Sequence, residues 1–246
     1  MMMYGTLCTE FYDVDKKFAA TEEIDFYKSV FDKNNLILEP MCGSGRLLIP
    51  LMQEGYAIHG IDNSPQMLKS CKERAAEFGL KSILFEDKIE NIILPNQYDG
   101  IIIPFGSFQL FYPRTLAFQI LEKFKTFLKP NGKLVMDLFV PWDALWQDNE
   151  KEKSHREVTT EDGYIIKIDT HNTANKYEQF ILSKSIYTKL INGNVVTQEK
   201  EQMHLCWYYR YEMELILEKC GYTNIHYQER FLNNENQMTF IAESAS

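Results

Sequence analysis

Between residues 21 and 140, short apolar runs alternate with segments of helical period, and that alternation leaves few folds open. Thr21 reads as an N-cap before Glu22 and Glu23, with Ile24, Tyr27, Val30 and Phe31 recurring at helical spacing. Leu36–Leu38 is a buried strand feeding a glycine-containing loop, and Leu47–Glu54 is a helix stopped by Gly55. Pro50 inside that helix is expected to cost one backbone hydrogen bond and to bend it. Ala57–Ile61 is a second strand. Ser64-Pro65 then supplies an N-cap and a proline at the first helical position, for a helix closing at Gly79. Ser82–Phe85 and Gly100–Ile103 are the third and fourth strands. Thr115–Leu128 is a helix stopped by Pro130-Asn131-Gly132, ahead of a fifth strand, Lys133–Phe139. Short apolar strands separated by helices mean parallel βαβ units in an open sheet covered on both faces.

The pattern changes after Val140. Pro141–Glu152 reads as a linker or short helix holding Trp142 and Trp146, with Asp148, Glu150 and Glu152 as a solvated acidic face. His155–Thr160, Tyr164–Thr170, Tyr177–Ile191 and Val195–Leu205 have strand composition. They are separated by turns at Glu161–Gly163, Thr173–Asn175 and Asn192–Asn194. Asn-Gly between β-rich runs is a strong hairpin signal. A helix, Tyr208–Cys220, and two strands, Asn224–Phe231 and Gln237–Ala242, then restore the earlier pattern. The expected organisation is one α/β domain, residues 1–140 and 207–246, with an antiparallel β meander, residues 141–206, inserted as a lid or substrate subdomain.

Charge narrows the partners. Lys and Arg number 26 against 35 Asp and Glu, a net charge of −9, which opposes nucleic-acid binding because that requires a basic face. The five cysteines, Cys8, Cys42, Cys71, Cys206 and Cys220, are odd in number, widely spaced and lack a Cys-x-x-Cys pair. Neither a disulfide framework nor a zinc site is indicated. No apolar run approaches membrane-spanning length, and Met1–Glu10 lacks a secretion signal, so the expectation is a cytoplasmic protein without membrane contact.

The sharpest local feature is Glu39-Pro40-Met41-Cys42-Gly43-Ser44-Gly45, between the first strand and the next helix. Ligands of parallel α/β sheets bind at the carboxyl ends of strands. Asp62 ends the second strand, where a carboxylate accepts from ribose hydroxyls, and Asp87 follows the third, in reach of an adenine amino group. Three carboxylates at three successive strand ends fit a nucleoside without phosphate. Both phosphate-binding fingerprints fail: Leu48 stands where a dinucleotide motif needs glycine, and Gly45-Arg46-Leu47 replaces Gly-Lys-Ser/Thr.

These residues resemble the class I S-adenosylmethionine-dependent methyltransferases, whose first motif is an acid, three residues and Gly-x-Gly, as in Glu39 to Gly45. The resemblance continues through Gly60–Leu68, Tyr98-Asp99-Gly100, Pro130–Lys133 and Glu212–Tyr222, leaving out only the meander. It implies a Rossmann-like, doubly wound, mostly parallel seven-stranded sheet and S-adenosyl-L-methionine as cofactor. It also implies that Glu39, Pro40, Met41, Cys42, Gly43 and Gly45 hold the methionine part. Asp62, with Asn63 and Met67 in the same motif, would hold the ribose, and Asp87, Lys88 and Ile89 the adenine. Phe105 and Gly106 would line the cofactor, with Ser107 on the substrate side. The layout is similar to amino-sugar N-methyltransferases and glycine N-methyltransferase, in which an N-terminal segment with tyrosines closes over the site. Tyr4 and Phe11-Tyr12-Asp13 match that pattern, with Lys17 placed to meet the cofactor carboxylate.

Methyl transfer from a sulfonium is an in-line displacement, so alignment and exclusion of water are the protein's main tasks. A general base matters only when the acceptor arrives protonated, and Tyr4, Tyr12, His171 and His204 are the candidates. Trp142, Trp207 and Tyr209, at the two ends of the meander, are candidates for an acceptor pocket. Strand four ends in Ile103-Pro104-Phe105, which offers no metal ligand and lacks the Asn/Asp-Pro-Pro-aromatic motif of base-amino methyltransferases. The expected activity is methyl transfer to an amine or hydroxyl of a small molecule, by a monomer or homodimer. A methyltransferase acting on RNA or protein, and a non-catalytic cofactor-binding module, are the alternatives.

Overall fold

Ile101, Ile102 and Ile103 are consecutive and fully buried, which only a strand covered on both faces permits. The computed structural model describes residues 4–146, 151–232 and 235–245, so Asp148 and Glu150 of the expected acidic face lie outside the described residues. In chain order the elements are α1 (Thr6–Asp15), α2 (Thr21–Val30), β1 (Leu36–Pro40), α3 (Leu48–Gln53), β2 (Ala57–Asp62), α4 (Pro65–Glu77), β3 (Ile83–Glu86) and β4 (Tyr98–Ile103). A single 3-10 turn, Ser107–Leu110, precedes α5 (Arg114–Phe127), β5 (Leu128–Leu138) and α6 (Trp142–Trp146). Next come β6 (Lys151–Thr159), β7 (Ile165–Asn175), β8 (Phe180–Ile191) and β9 (Asn194–Cys206). The chain ends in α7 (Arg210–Lys219), β10 (Tyr222–Leu232) and β11 (Glu235–Ser244).

These elements form two compact units. One holds Phe18–Val140 and the chain from Trp207 onward, built on a seven-stranded sheet of order β10-β11-β5-β4-β1-β2-β3. The five strands from β5 to β3 are parallel, and β11 runs antiparallel to β5. This is the doubly wound, mostly parallel α/β sheet read from the sequence. The chain enters at β1, winds outward to β3, then crosses back to β4, so the order reverses between β1 and β4. That crevice is where open α/β sheets bind ligands. Ile37, Leu47, Leu48, Ile49, Leu51 and Ile58 form part of the core beneath it.

Local chemistry accounts for the start of α4, whereas Thr21, read as an N-cap, is the first helical residue of α2 and its N-cap Ala20 makes no side-chain cap bond. The Ser64 hydroxyl accepts from the Met67 N–H (3.2 Å), with Pro65 opening α4. The expected cost of Pro50 does not arise. α3 begins at Leu48, so Pro50 sits in the first turn, where its missing N–H has no intrahelical acceptor. The segment Pro130–Gly132, read as a helix stop, belongs to β5, which begins at Leu128 where that residue pairs with Tyr98.

The second unit joins the chain through Lys17 to Pro141–Cys206. The N-terminal segment groups in this unit with residues 141–206. α1 has no side-chain N-cap of its own at Gly5. One of its orphan amides, Leu7 N–H, donates to Glu199 Oε2 of β9 (2.9 Å), and the Tyr4 N–H ahead of the helix donates to Glu201 Oε1 (2.6 Å). Such a contact has no local sequence signature. The sheet itself is antiparallel, order β6-β7-β8-β9. Asn192 and Gly193 both have positive φ (50° and 78°), as the two-residue hairpin requires. The turn expected at Thr173–Asn175 is strand instead, because these residues pair with Leu182, Ile181 and Phe180. Cross-strand pairing outweighs the turn preference of Thr and Asn.

Candidate active site

The loop after β1 turns through three residues of positive φ: Met41 (59°), Gly43 (54°) and Gly45 (84°). Cys42 N–H donates to the Ile61 carbonyl (3.0 Å), and Gly45 N–H to the Cys42 carbonyl (3.0 Å), which ties the loop to β2. The two glycines serve different needs. A Cβ on Gly45 would lie 2.7 Å from Cys71 Sγ and 2.9 Å from Ile49 Cδ1, so its absence lets the loop pack on the helices. A Cβ on Gly43 would meet only Met67 Sδ, at 3.8 Å, so Gly43 faces open space.

Asp62 joins three strand ends. Its Oδ2 accepts from Gly43 N–H (2.9 Å), its Oδ1 from Ser64 N–H (2.9 Å), and its carbonyl from Asp87 N–H (3.2 Å). Burial pushes the Asp62 carboxyl above its ordinary value, against the opposing pull of the Ser64, Gly43 and Asn63 amides. Asp87 is exposed, its Oδ1 accepting from Lys88 N–H (2.7 Å). Lys88 is exposed and Ile89 buried. Asn63 is exposed, and Met67 is buried under the loop.

Glu39, beside the buried Pro40 at the end of β1, is 3% exposed, and its Oε2 has no hydrogen-bond partner among the described residues. Burial drives its carboxyl well above the usual range, opposed by the positive charge of Arg46. Arg46 itself forms a buried bidentate pair with Glu23 of α2 (2.7 and 2.6 Å). A buried acceptor left unmet costs about 1–3 kcal/mol, so a donor from a ligand at Glu39 recovers that energy.

Across the crevice, Phe105 (φ 56°) and Gly106 (φ 72°) follow β4, and the Arg46 guanidinium lies 4.8 Å from the Phe105 ring centre. The Ser107 hydroxyl donates to the Pro104 carbonyl (3.0 Å). Trp207 is fully buried, its carbonyl accepting from Arg114 (3.1 Å), while Tyr209 is half-exposed at the start of α7. The structure thus brings Glu39, the glycine loop, Asp62, Asp87 and Phe105 to one edge of one unit. Lys17, Tyr4, Tyr12, Trp142, His171 and His204 belong to the other unit. There the Lys17 ammonium pairs with Glu161 (3.3 Å), Tyr12 is half-buried on α1 and Trp142 is exposed on α6. His171 lies on β7. His204, on β9, packs edge-on against Phe180, and burial lowers its pKa.

Sequence reasoning missed three supports of this edge. Arg74 of α4 donates to both the carbonyl and the hydroxyl of Ser44 (2.9 Å each). The Gln109 amide brackets the Phe139 backbone, donating to its carbonyl (2.9 Å) and accepting from its N–H (2.8 Å). Asp137, near the end of β5, accepts from Tyr27 (3.0 Å), Arg230 (2.7 Å) and Thr239 (2.7 Å). An acid closing an apolar strand, as in Leu134-Val135-Met136-Asp137, was a readable signal for the last.

Residues 37–132 match the family model described as "Methyltransferase domain". The computed structure is similar over 96% of both chains to an S-adenosylmethionine-dependent methyltransferase from Clostridium acetobutylicum ATCC 824 (TM-score 0.75, 16% identity). It is also similar to SAM-bound CalS10, an amino pentose methyltransferase from Micromonospora echinaspora involved in calicheamicin biosynthesis. That likeness has a TM-score of 0.67 at 15% identity, over 91% of this chain and 89% of the other. In sequence, YqeM of Bacillus subtilis (strain 168), assigned by its name to the methyltransferases, is 31% identical over 105 residues. That match spans 42% of this chain and 41% of YqeM, less than half of the curated relative. The fold is that of the class I S-adenosylmethionine-dependent methyltransferases. The family-model match covers residues 37–132, the stretch that carries Glu39, the glycine loop, Asp62 and Asp87.

Proposed function

We propose that this chain transfers a methyl group from S-adenosyl-L-methionine to an amine or hydroxyl of a small molecule. The observation that carries the cofactor half is the unmet Glu39 Oε2 beside the open space at Gly43. The cofactor's methionine part brings an ammonium donor and needs no phosphate cradle, which suits a site whose neighbouring cation, Arg46, is already paired. When bound, it supplies a sulfonium methyl already activated for displacement. The chain's own residues then do the positioning. Glu39 and the Met41–Gly45 backbone hold one end of the ligand, while Asp62 offers its remaining lone pairs to ribose hydroxyls. Asp87, Lys88 and Ile89 flank the base, and Phe105 and Gly106 wall the opposite side against water.

The acceptor class rests on different support. The amino pentose enzyme CalS10 shares the fold nearly end to end, and a net charge of −9 disfavours a polynucleotide. A cytoplasmic setting fits five free, buried cysteines, and no helix among the described residues is long and apolar enough to cross a membrane. Calorimetry with S-adenosylhomocysteine tests the cofactor reading, and homocysteine release in the presence of amino-sugar and amine libraries tests turnover. Heat that Asp62→Ala weakens is the expected result. Wild-type protein giving no heat with either form of the cofactor overturns the proposal.

A further inference from the structure

The sheet of the second unit has two faces of different character. One packs on α1, where Tyr187 stacks edge-on with Phe11 and Glu201 is buried. The opposite face is open, and on it lies a cavity of about 470 Å³, within the range of small-ligand sites. The antiparallel register sets its lining. Lys153 pairs with His171, His171 with Lys184, and Lys184 with Gln202, in one row across all four strands. The next row runs His155, Asp169, Ile186, Lys200. Glu201, between Lys200 and Gln202, turns to the other face, where it accepts from Tyr4 N–H.

Among the described residues, other charges on this face are paired. Lys167 pairs with Glu157 (3.5 Å), and His155 with Asp169 (2.8 Å), using the acids that the face provides. Among the described residues, no carboxylate pairs with Lys153, Lys184 or Lys200, and all three line the cavity. Lys153 and Lys184 flank His171 from opposite sides, and Lys200 stands diagonal to Lys184 one row along, within reach of long side chains. A chain with nine excess negative charges therefore places three lysines without a carboxylate partner among the described residues around one ligand-sized hollow, together with His171, the His155-paired Asp169 and the backbone of Glu201. Ile186, 38% exposed, stands between them as an apolar floor.

We infer that this hollow is a binding site for a phosphate-bearing small molecule. Lys153, Lys184 and Lys200 neutralise the phosphate, and Ile186 contacts an uncharged ring or chain attached to it. A single carboxylate would leave two of the three cations unmet, whereas a phosphate monoester or diphosphate carries two or more negative charges and several acceptor oxygens. The site lies within one unit, uses none of the residues assigned to the cofactor, and stands independently of the methyl-transfer reading.

Calorimetry on the full chain, saturated with S-adenosylhomocysteine and at fixed ionic strength, tests it with inorganic phosphate, pyrophosphate, phenyl phosphate and phenol. Pyrophosphate is expected to bind more tightly than phosphate, phenyl phosphate more tightly than phosphate, and phenol not at all. Lys184→Gln and Lys200→Gln should each lower pyrophosphate affinity about tenfold. Lys69→Gln, which removes an equal charge from α4, should leave it unchanged. Affinity unaffected by Lys184→Gln and Lys200→Gln, equal losses from Lys69→Gln, or phenol binding as well as phenyl phosphate would each overturn the inference. Heat with S-adenosylhomocysteine but none with pyrophosphate rejects this site alone. Heat with pyrophosphate but none with S-adenosylhomocysteine rejects the cofactor reading alone.

Discussion

Each unit buries a glutamate, and the two are used in opposite ways. Glu201, on β9, is 5% exposed, and its oxygens accept from Tyr4 N–H (2.6 Å), the Tyr187 hydroxyl (3.3 Å) and the Cys8 thiol (3.8 Å). Glu39, at the end of β1, is as deeply buried but keeps one oxygen without a partner. Burial raises both carboxyls. A satisfied buried acid fastens structure, here the start of α1 to β9. An unsatisfied one at the mouth of a glycine loop carries a desolvation cost that a ligand's donor would offset, as the proposed cofactor reading requires.

Four substitutions bear on that contrast. The largest effect is expected at Gly45, where Gly45→Val forces a side chain into Cys71 and Ile49. Loss of the folded state by circular dichroism is the expected outcome, and a stable variant would show that the loop packing has slack. Glu201→Ala comes next. It strands the Tyr4 amide, the Tyr187 hydroxyl and the Cys8 thiol, costing about 1–3 kcal/mol in denaturant unfolding while sparing S-adenosylhomocysteine binding.

Glu39→Gln should do the reverse. A carboxyl whose folded pKa is raised is most favourable to the fold below its unfolded value, near 4.5, and loses that contribution as pH rises through the folded value. The neutral amide should therefore raise the melting temperature relative to wild type more at pH 8 than at pH 4. Cofactor affinity should fall about tenfold at the same time. A variant no more stable at pH 8 would mean that Arg46 fully compensates the buried charge. The smallest effect is expected for Lys17→Gln. Its pair with the nearly fully exposed Glu161 should contribute under about 1 kcal/mol. Unchanged cofactor affinity would remove Lys17 from the set of cofactor contacts, and a clear loss would restore it.

Much of the first unit was readable because its signals are local. Ser64-Pro65 caps α4 within three residues, and Glu39 to Gly45 is contiguous. The braces of the same site were not. Arg74 reaches Ser44, Gln109 reaches Phe139, and Glu23 reaches Arg46, each joining elements that are distant in sequence. Pro50 misled because its cost depends on where the helix begins, a register settled by the loop before it. In the second unit, Thr173–Asn175 carried turn chemistry that three cross-strand pairs overrode.

Alternating strand and helix periods, with an acid closing β2 and glycines after β1, were enough by themselves to determine a parallel α/β sheet and the edge at which Glu39, Asp62 and the glycine loop gather. Periodicity and turn chemistry act over a few residues, so one chain displays them directly. Only the tertiary structure decided which buried acid is satisfied, that the N-terminal helix takes its cap from β9, and that three lysines from three strands share one hollow. Those properties depend on strand register, which brings together residues that no local pattern connects.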